Sequence, residues 1–169
     1  MNKMMAMDRC RHRHQLIIQI NRNERAIMQT TTHTTLPATD DQGKLLLRVV
    51  LAALLLFHGV SKLIGGVGFI TGMLDKAGLP GAFGYLVYVG EVVAPLLILF
   101  GLYTRAAALV VAINMVVALL LVHTSQFFTM SDTGGWALEL QGMYLGGALV
   151  VALLGAGRYS LGGTDGRFN

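Results

Sequence analysis

The chain has 169 residues, 54% of them hydrophobic and only 13% charged, with a formal net charge of +4. That is about half the charged share of a soluble domain, so the composition excludes a disordered chain and argues against an ordinary soluble globule. The single cysteine, Cys10, excludes an intrachain disulfide framework and any all-cysteine metal site within one chain.

The chain opens on a polar, basic tail, residues 1–43, which is expected to be disordered. Residues 1–27 hold six basic residues together with Met1, Met4, Met5 and Met7. This abrupt change of composition makes Met28 an alternative start, so 1–27 reads as an extension or a misassigned beginning. Threonine-rich residues 30–35 read as linker. The positive excess lies in the tails, because residues 45–157 hold four basic and four acidic residues. The Arg11-His12-Arg13-His14 run is too short and isolated to read nucleic acid, so no nucleic-acid partner is expected.

Four apolar stretches follow, at 45–63, 83–100, 106–122 and 136–154. A membrane-spanning helix needs about 20 mostly apolar residues. Their continuous apolar runs do not fit the alternation of barrel strands, and in hydrocarbon only helices and closed barrels satisfy the backbone. The fold expected is all-α: an integral membrane four-helix bundle over 44–157, with 158–169 as a C-terminal tail. Between the first two spans, Phe69, Ile70, Met73, Leu74 and Ala77 recur at helical spacing. Gly78-Leu79-Pro80 then stops that helix. It reads as a short amphipathic helix at the membrane interface, a packing lid or a ligand gate.

Lysine and arginine are concentrated beside the first span, in the Gly101–Arg105 turn (Arg105) and in the tail (Arg158, Arg167), with Lys62 and Lys76 at the opposite end. The positive-inside rule then places both termini in the cytoplasm. With no cleavable signal evident, the first span reads as an uncleaved anchor.

Ionisable residues inside a span each need a partner or a purpose. Counted from the outer ends at about 1.5 Å per residue, Lys62 and His123 lie near the surface. By the same rise, Glu139 sits about 5 Å in, His58 and Gln141 about 8 Å, and Glu91 and Asn114 about 12–13 Å. One polar group from each helix can therefore converge in the outer half. His58 and Lys62, four apart, share one helix face. Pro95 removes the backbone bond that the Glu91 carbonyl would accept, predicting a kink and a free carbonyl beside the carboxylate. Glu91 then either pairs with Lys62 or His58 to hold the bundle, or serves a polar ligand or a proton. Asn114 reads as an interhelical hydrogen-bond donor, Glu139 as a cap on the fourth helix, and Arg48 as a side chain that snorkels to inner phosphates. No metal-ligand cluster and no nucleophile motif are visible, and the depths of His58 and His123 disfavour a shared haem.

The segment Phe57-His58-Gly59-Val60-Ser61-Lys62-Leu63 ends the first span. Gly78-Leu79-Pro80, the buried Glu91, Gly101-Leu102-Tyr103-Thr104-Arg105 and Gly157-Arg158-Tyr159-Ser160-Leu161 follow. Together, over about residues 44–162, this pattern resembles the DoxX family of small bacterial four-helix membrane proteins. Similar proteins often carry proline before the last motif's glycine and aspartate after its leucine, where this chain has Ala156 and Gly162. The family takes its name from a small subunit of a thiosulfate–quinone oxidoreductase. The resemblance implies a bacterial inner-membrane location and a link to the quinone pool or to membrane redox complexes. It implies that His58, Lys62, Glu91 and Arg105 belong to the family pattern. No cofactor motif is evident in the chain itself, so electron transfer would need a partner.

Three classes remain open: a quinone-linked accessory subunit of a membrane oxidoreductase, a noncatalytic scaffold in a membrane complex, and a small transporter or proton pathway. The Gly142/Gly146 spacing also permits a homo-oligomer. The ligand-site or proton-site candidates are Glu91, His58, Lys62, Asn114, Glu139 and Gln141; Arg48, Pro95, Arg105 and Arg158 read as structural or topological. A reporter fused after Asn169 is expected to be active only in its cytoplasmic form; a periplasmic signal contradicts the orientation.

Overall fold

The computed structural model describes residues 38–132, 134–163, 166, 168 and 169, together with Gln19. The chain divides into two units, Met1–Pro37 and Ala38–Asn169. The expectations of a disordered tail and of a start at Met28 therefore lie outside the described residues, apart from the last few residues before 44.

Ala38–Asn169 is all-helical apart from turns and one isolated bridge between Met130 and Trp136. Its first helix, α1, is Ala38–Gly65 and starts well before the predicted 45. Asp40 and Asp41 in its first turn favour this early start, because carboxylates stabilise a helix N-terminus. The short helix α2, Gly68–Lys76, matches the predicted amphipathic segment, and it buries Leu74. The second span, Gly81–Phe100, is composite: a 3₁₀ turn at Gly81–Leu86, a π turn at Val89–Val93, then the α-helix α3, Ala94–Phe100. The fourth helix of the described unit, α4, is Thr104–Val122, and the last, α5, is Glu139–Leu154.

Three of these stretches, Thr39–Gly65, Gly81–Phe100 and Thr104–Val122, are long and apolar enough to cross a membrane. The fourth apolar helix is shorter than predicted, 16 residues from Glu139 instead of a span from 136. Trp136 is held in the bridge to Met130, so the chain has not yet turned helical there.

One core joins all four. Leu51, Ala52 and Leu55 of α1 meet Ala94 and Ile98 of α3, Ala107, Ala108, Val111 and Met115 of α4, and Tyr144, Ala148 and Val151 of α5. Alanine dominates these seams because small side chains let helices approach closely where lipid supplies no hydrophobic drive. Large apolar residues point outward instead, among them Phe57, Ile113, Leu120 and Leu153.

At the end of the bundle that holds Gly101 the chain closes on itself. Gly101, at φ +70°, ends α3, with Gly101 N–H donating to Ile98 O and Leu102 N–H to Leu97 O. That pairing is a Schellman cap. The segment after α5 then crosses the same end: Leu161 N–H donates to Phe100 O and Gly162 N–H to Gly101 O. Arg158 N–H donates to the buried carboxylate of Asp41 at 3.1 Å. Asn169 accepts from Thr104 Oγ1 at 2.9 Å, and its backbone oxygen accepts from Arg105 Nε at 3.0 Å.

Arg48 does not snorkel. It is 1% exposed and donates through Nη2 to Tyr159 O. A Cβ on Gly101 would overlap its Nη1, so the guanidinium lies against the end of α3. A cation there faces the negative end of the helix dipole. The chain, not lipid phosphate, supplies the surroundings of this charge.

Gly59 governs how α1 meets the second span. A Cβ there would overlap the Glu91 carbonyl oxygen and the Val92 side chain. Gly59→Ala is expected to lower stability by about 1–3 kcal/mol through overpacking. Thermal unfolding in mild detergent reads this, with Gly43→Ala, which meets nothing within 4 Å, as the clash-free control, expected to hold or raise the midpoint because alanine favours helix over glycine.

Candidate functional site

The chemistry gathers where the second span departs from regular helix. Pro95 cannot donate a backbone hydrogen bond, and the span answers with the π turn Val89–Val93 immediately before it. Ala94 N–H bonds back to Val89 O, five residues earlier. Such single π turns widen a helix locally and recur at functional sites. The predicted disturbance is thus a π turn, and the Glu91 carbonyl beside it packs against Gly59.

Glu91 lies inside this turn and is 5% exposed. Its carboxylate is paired with Lys62, whose Nζ donates to both Oε1 and Oε2. Lys62 belongs to the last turn of α1, where the helix dipole favours a cation. The pair is asymmetric: the Lys62 side chain keeps 30% of its surface exposed, the Glu91 side chain 6%. Tyr88 Oη donates to the Lys62 carbonyl at 3.1 Å, a second tie between the end of α1 and the second span.

A cavity of about 690 Å³ opens beside this pair. That volume falls within the range of small-molecule sites. Its walls are mostly apolar: Phe69, Ile70 and Leu74 from α2, residues from Leu79 to Val89 of the second span and its approach, and Val110, Ile113 and Val117 from α4. Four polar side chains line it, Lys62, Glu91, Asn114 and His123. The short helix α2 forms its cover, resting on Gly84, where a Cβ would crowd Thr71.

The six sequence candidates thus separate. Lys62, Glu91 and Asn114 come together at the cavity from three elements. His58 is exposed and meets the Tyr144 ring edge-on, with centroids 5.6 Å apart. Gln141 approaches His123 instead, Nε2 to Nε2 at 3.3 Å, while His123 Nδ1 lies 2.9 Å from Gln126 Oε1. With its proton on Nδ1, His123 donates to Gln126 and accepts from Gln141, a tautomer assigned from these partners. Glu139 turns back on its own helix start, where Oε1 accepts from Trp136 N–H at 3.0 Å. Convergence from all four helices therefore reduces to three, because in α5 Glu139 turns to its own helix start and Gln141 to His123.

Asn114 departs from its predicted interhelical bond. Its Nδ2 is buried and has no hydrogen-bond partner, as is true of Gln141 Oε1. Tyr88, Tyr144, Gly59 and Gly90 were not foreseen as parts of this region. Gly59 and Gly90 stand one residue from His58 and Glu91, and that adjacency was the available signal.

Lys62→Met strands a buried carboxylate and is expected to cost about 1–3 kcal/mol, below the range for a fully enclosed pair because Lys62 is partly exposed. The double change Lys62→Met with Glu91→Met is expected to recover most of that loss. Unfolding midpoints of the wild type, both single variants and the double variant give the coupling.

Comparison with known proteins points one way. The DoxX family model matches residues 43–124. A protein of Bacillus subtilis (strain 168) with the name "Putative oxidoreductase CatD" is 30% identical over 103 residues, which is 61% of this chain and 76% of that protein. No solved structure matches the chain significantly. With its helical body, apolar spans and family motifs in place, the chain belongs to the DoxX family.

Proposed function

We propose that this multi-pass membrane protein binds a lipophilic quinone in the outer half of its helix bundle and serves a membrane oxidoreductase as an accessory subunit. The observation that carries the reading is the apolar cavity with the Lys62–Glu91 pair in its wall. Ligand sites of this kind combine a large apolar lining with few polar groups that fix orientation. The donor set suits a quinone: Lys62 and Asn114 both line the cavity, and an ammonium and an amide can each donate to a carbonyl oxygen. The name of the Bacillus subtilis relative, which includes the word oxidoreductase, supports the same direction.

A quinone supplies two-electron, two-proton carriage within the bilayer. The chain's own part is to bind and orient. Lys62 Nζ donates to an acceptor on the ligand, and a Glu91 carboxylate oxygen holds a proton when Lys62 turns away. Leu74 and Ile70 of α2 exclude water from above. Electrons come from a partner subunit. The location proposed is the bacterial inner membrane, with both termini cytoplasmic.

A noncatalytic scaffold is the second reading, and one observation favours it. Lys62 already engages both Glu91 oxygens, so the pair is complete without a ligand and ties α1 to the second span.

Binding of decylubiquinone to the protein in lipid nanodiscs separates the two. Glu91→Gln keeps the side-chain shape but removes the charge that holds Lys62 at the cavity wall. It is expected to weaken binding by about tenfold or more, the effect of losing one charge-assisted hydrogen bond from Lys62 to the quinone carbonyl. Equal binding by variant and wild type removes Glu91 from the ligand site and leaves the scaffold.

A further inference from the structure

We infer that the ligand enters this cavity sideways from the bilayer, between the second span and α4, and that the Asn114 amide holds its polar head. The inference rests on the quinone reading and adds a residue, an orientation and a route to it.

Asn114 stands near the middle of α4, a helix that after Thr104 and Arg105 in its first turn is otherwise built from apolar residues. An amide at that depth normally bonds across to a neighbouring helix. Here its Nδ2 is buried, has no hydrogen-bond partner, and belongs to a side chain lining the cavity. A buried donor left unpaired is costly, and a hydrogen-bond acceptor placed in the cavity relieves that cost. The neighbouring backbone holds the amide in place: a Cβ on Gly90 would overlap Asn114 Cγ and lie 2.6 Å from its Cβ. Only glycine at 90 leaves room for this contact. Gly90 directly precedes Glu91, so the unpaired amide and the ion pair share one wall region.

The opening faces lipid. Ile113 and Val117, both lining the cavity, are 64% and 50% exposed on the outward side of α4. At mid-span such side chains meet hydrocarbon, not water. A ligand with an acceptor head and an apolar tail therefore lies head inward, against Asn114 and Lys62, and tail outward past Ile113 and Val117. The ligand class is a lipophilic molecule with a carbonyl-type head group, met in the bilayer itself.

The test uses the full chain in lipid nanodiscs, an azido-substituted ubiquinone as photoprobe and excess decylubiquinone as competitor. Labelled peptides are mapped by mass spectrometry. Wild type is expected to take competed label within residues 83–91 and 110–122. Asn114→Leu, close to asparagine in shape, is expected to cut that label about tenfold at an unchanged melting temperature. Should Asn114→Leu fail to fold, Asn114→Ala is read in the same way. Ile113→Trp fills the lateral opening while keeping the amide, and is expected to reduce competed label as well.

Full competed label in a folded Asn114 variant overturns the role of Asn114 and leaves the quinone reading standing. Full competed label in Ile113→Trp, or competed label confined to α5, overturns the sideways route. Wild type without competed label overturns the quinone reading and this inference together.

Discussion

A carboxylate buried in an apolar span sets the terms for the half of the bundle that carries the cavity. Glu91 cannot stay charged in hydrocarbon without a counter-charge, and Lys62 supplies it from the last turn of α1. For a lysine on one helix to reach a carboxylate on another, the backbones must be close. Gly59 permits that approach, with the Glu91 carbonyl against it. The π turn before Pro95 carries Glu91 at the point of contact. Gly90, one residue earlier, gives the same intimacy on the other side, toward Asn114 of α4. Two adjacent residues of the second span thus fix its distance from two neighbouring helices, and the cavity is the space left beside them.

The two ends of the bundle answer the same problem differently. At the Gly101 end, Arg48 is fully buried, yet its charge sits against the end of α3 and under the segment that follows α5. Backbone donors from Leu161 and Gly162 reach the carbonyls of Phe100 and Gly101. The segments Gly101–Arg105 and Gly157–Leu161, far apart in sequence, form one closed structure. At the other end, the charged pair borders a cavity whose lining includes the exposed apolar side chains Ile113 and Val117. One closed end and one open flank suit the proposed binding of a bilayer-borne ligand.

Much of this was legible in the sequence, because long apolar runs and the residues that interrupt them are strong signals. The spans, the short helix after the first, and the special character of Glu91 and Pro95 follow from spacing and depth, whereas the choice between Lys62 and His58 as the partner of Glu91 did not. Asn114 was foreseen at the right depth, although not without a partner. What was misread depended on contacts between distant segments. Arg48 looked like a snorkelling arginine because nothing local reveals that Tyr159 and Gly101 enclose it. Asp41 was counted with a polar tail, yet it lies in the first turn of α1 and holds Arg158 N–H. Gln141 was placed in the polar centre by depth alone, and Glu139, also counted there, keeps to the helix start where its reading as a cap put it. Their actual partners, His123 and the Trp136 backbone, belong to the loop between α4 and α5. Loop geometry of that kind leaves no periodic trace.

The central claim is that the wall formed by Lys62, Glu91 and Asn114 holds a lipophilic ligand. Native mass spectrometry of the protein released from mild detergent micelles tests it most directly. Wild type is expected to carry an added mass matching a quinone, lost when Glu91→Gln and Asn114→Leu are combined, with the protein still folded. Wild type that retains no such mass after extraction in the presence of excess quinone, or a double variant that retains it fully, contradicts the claim.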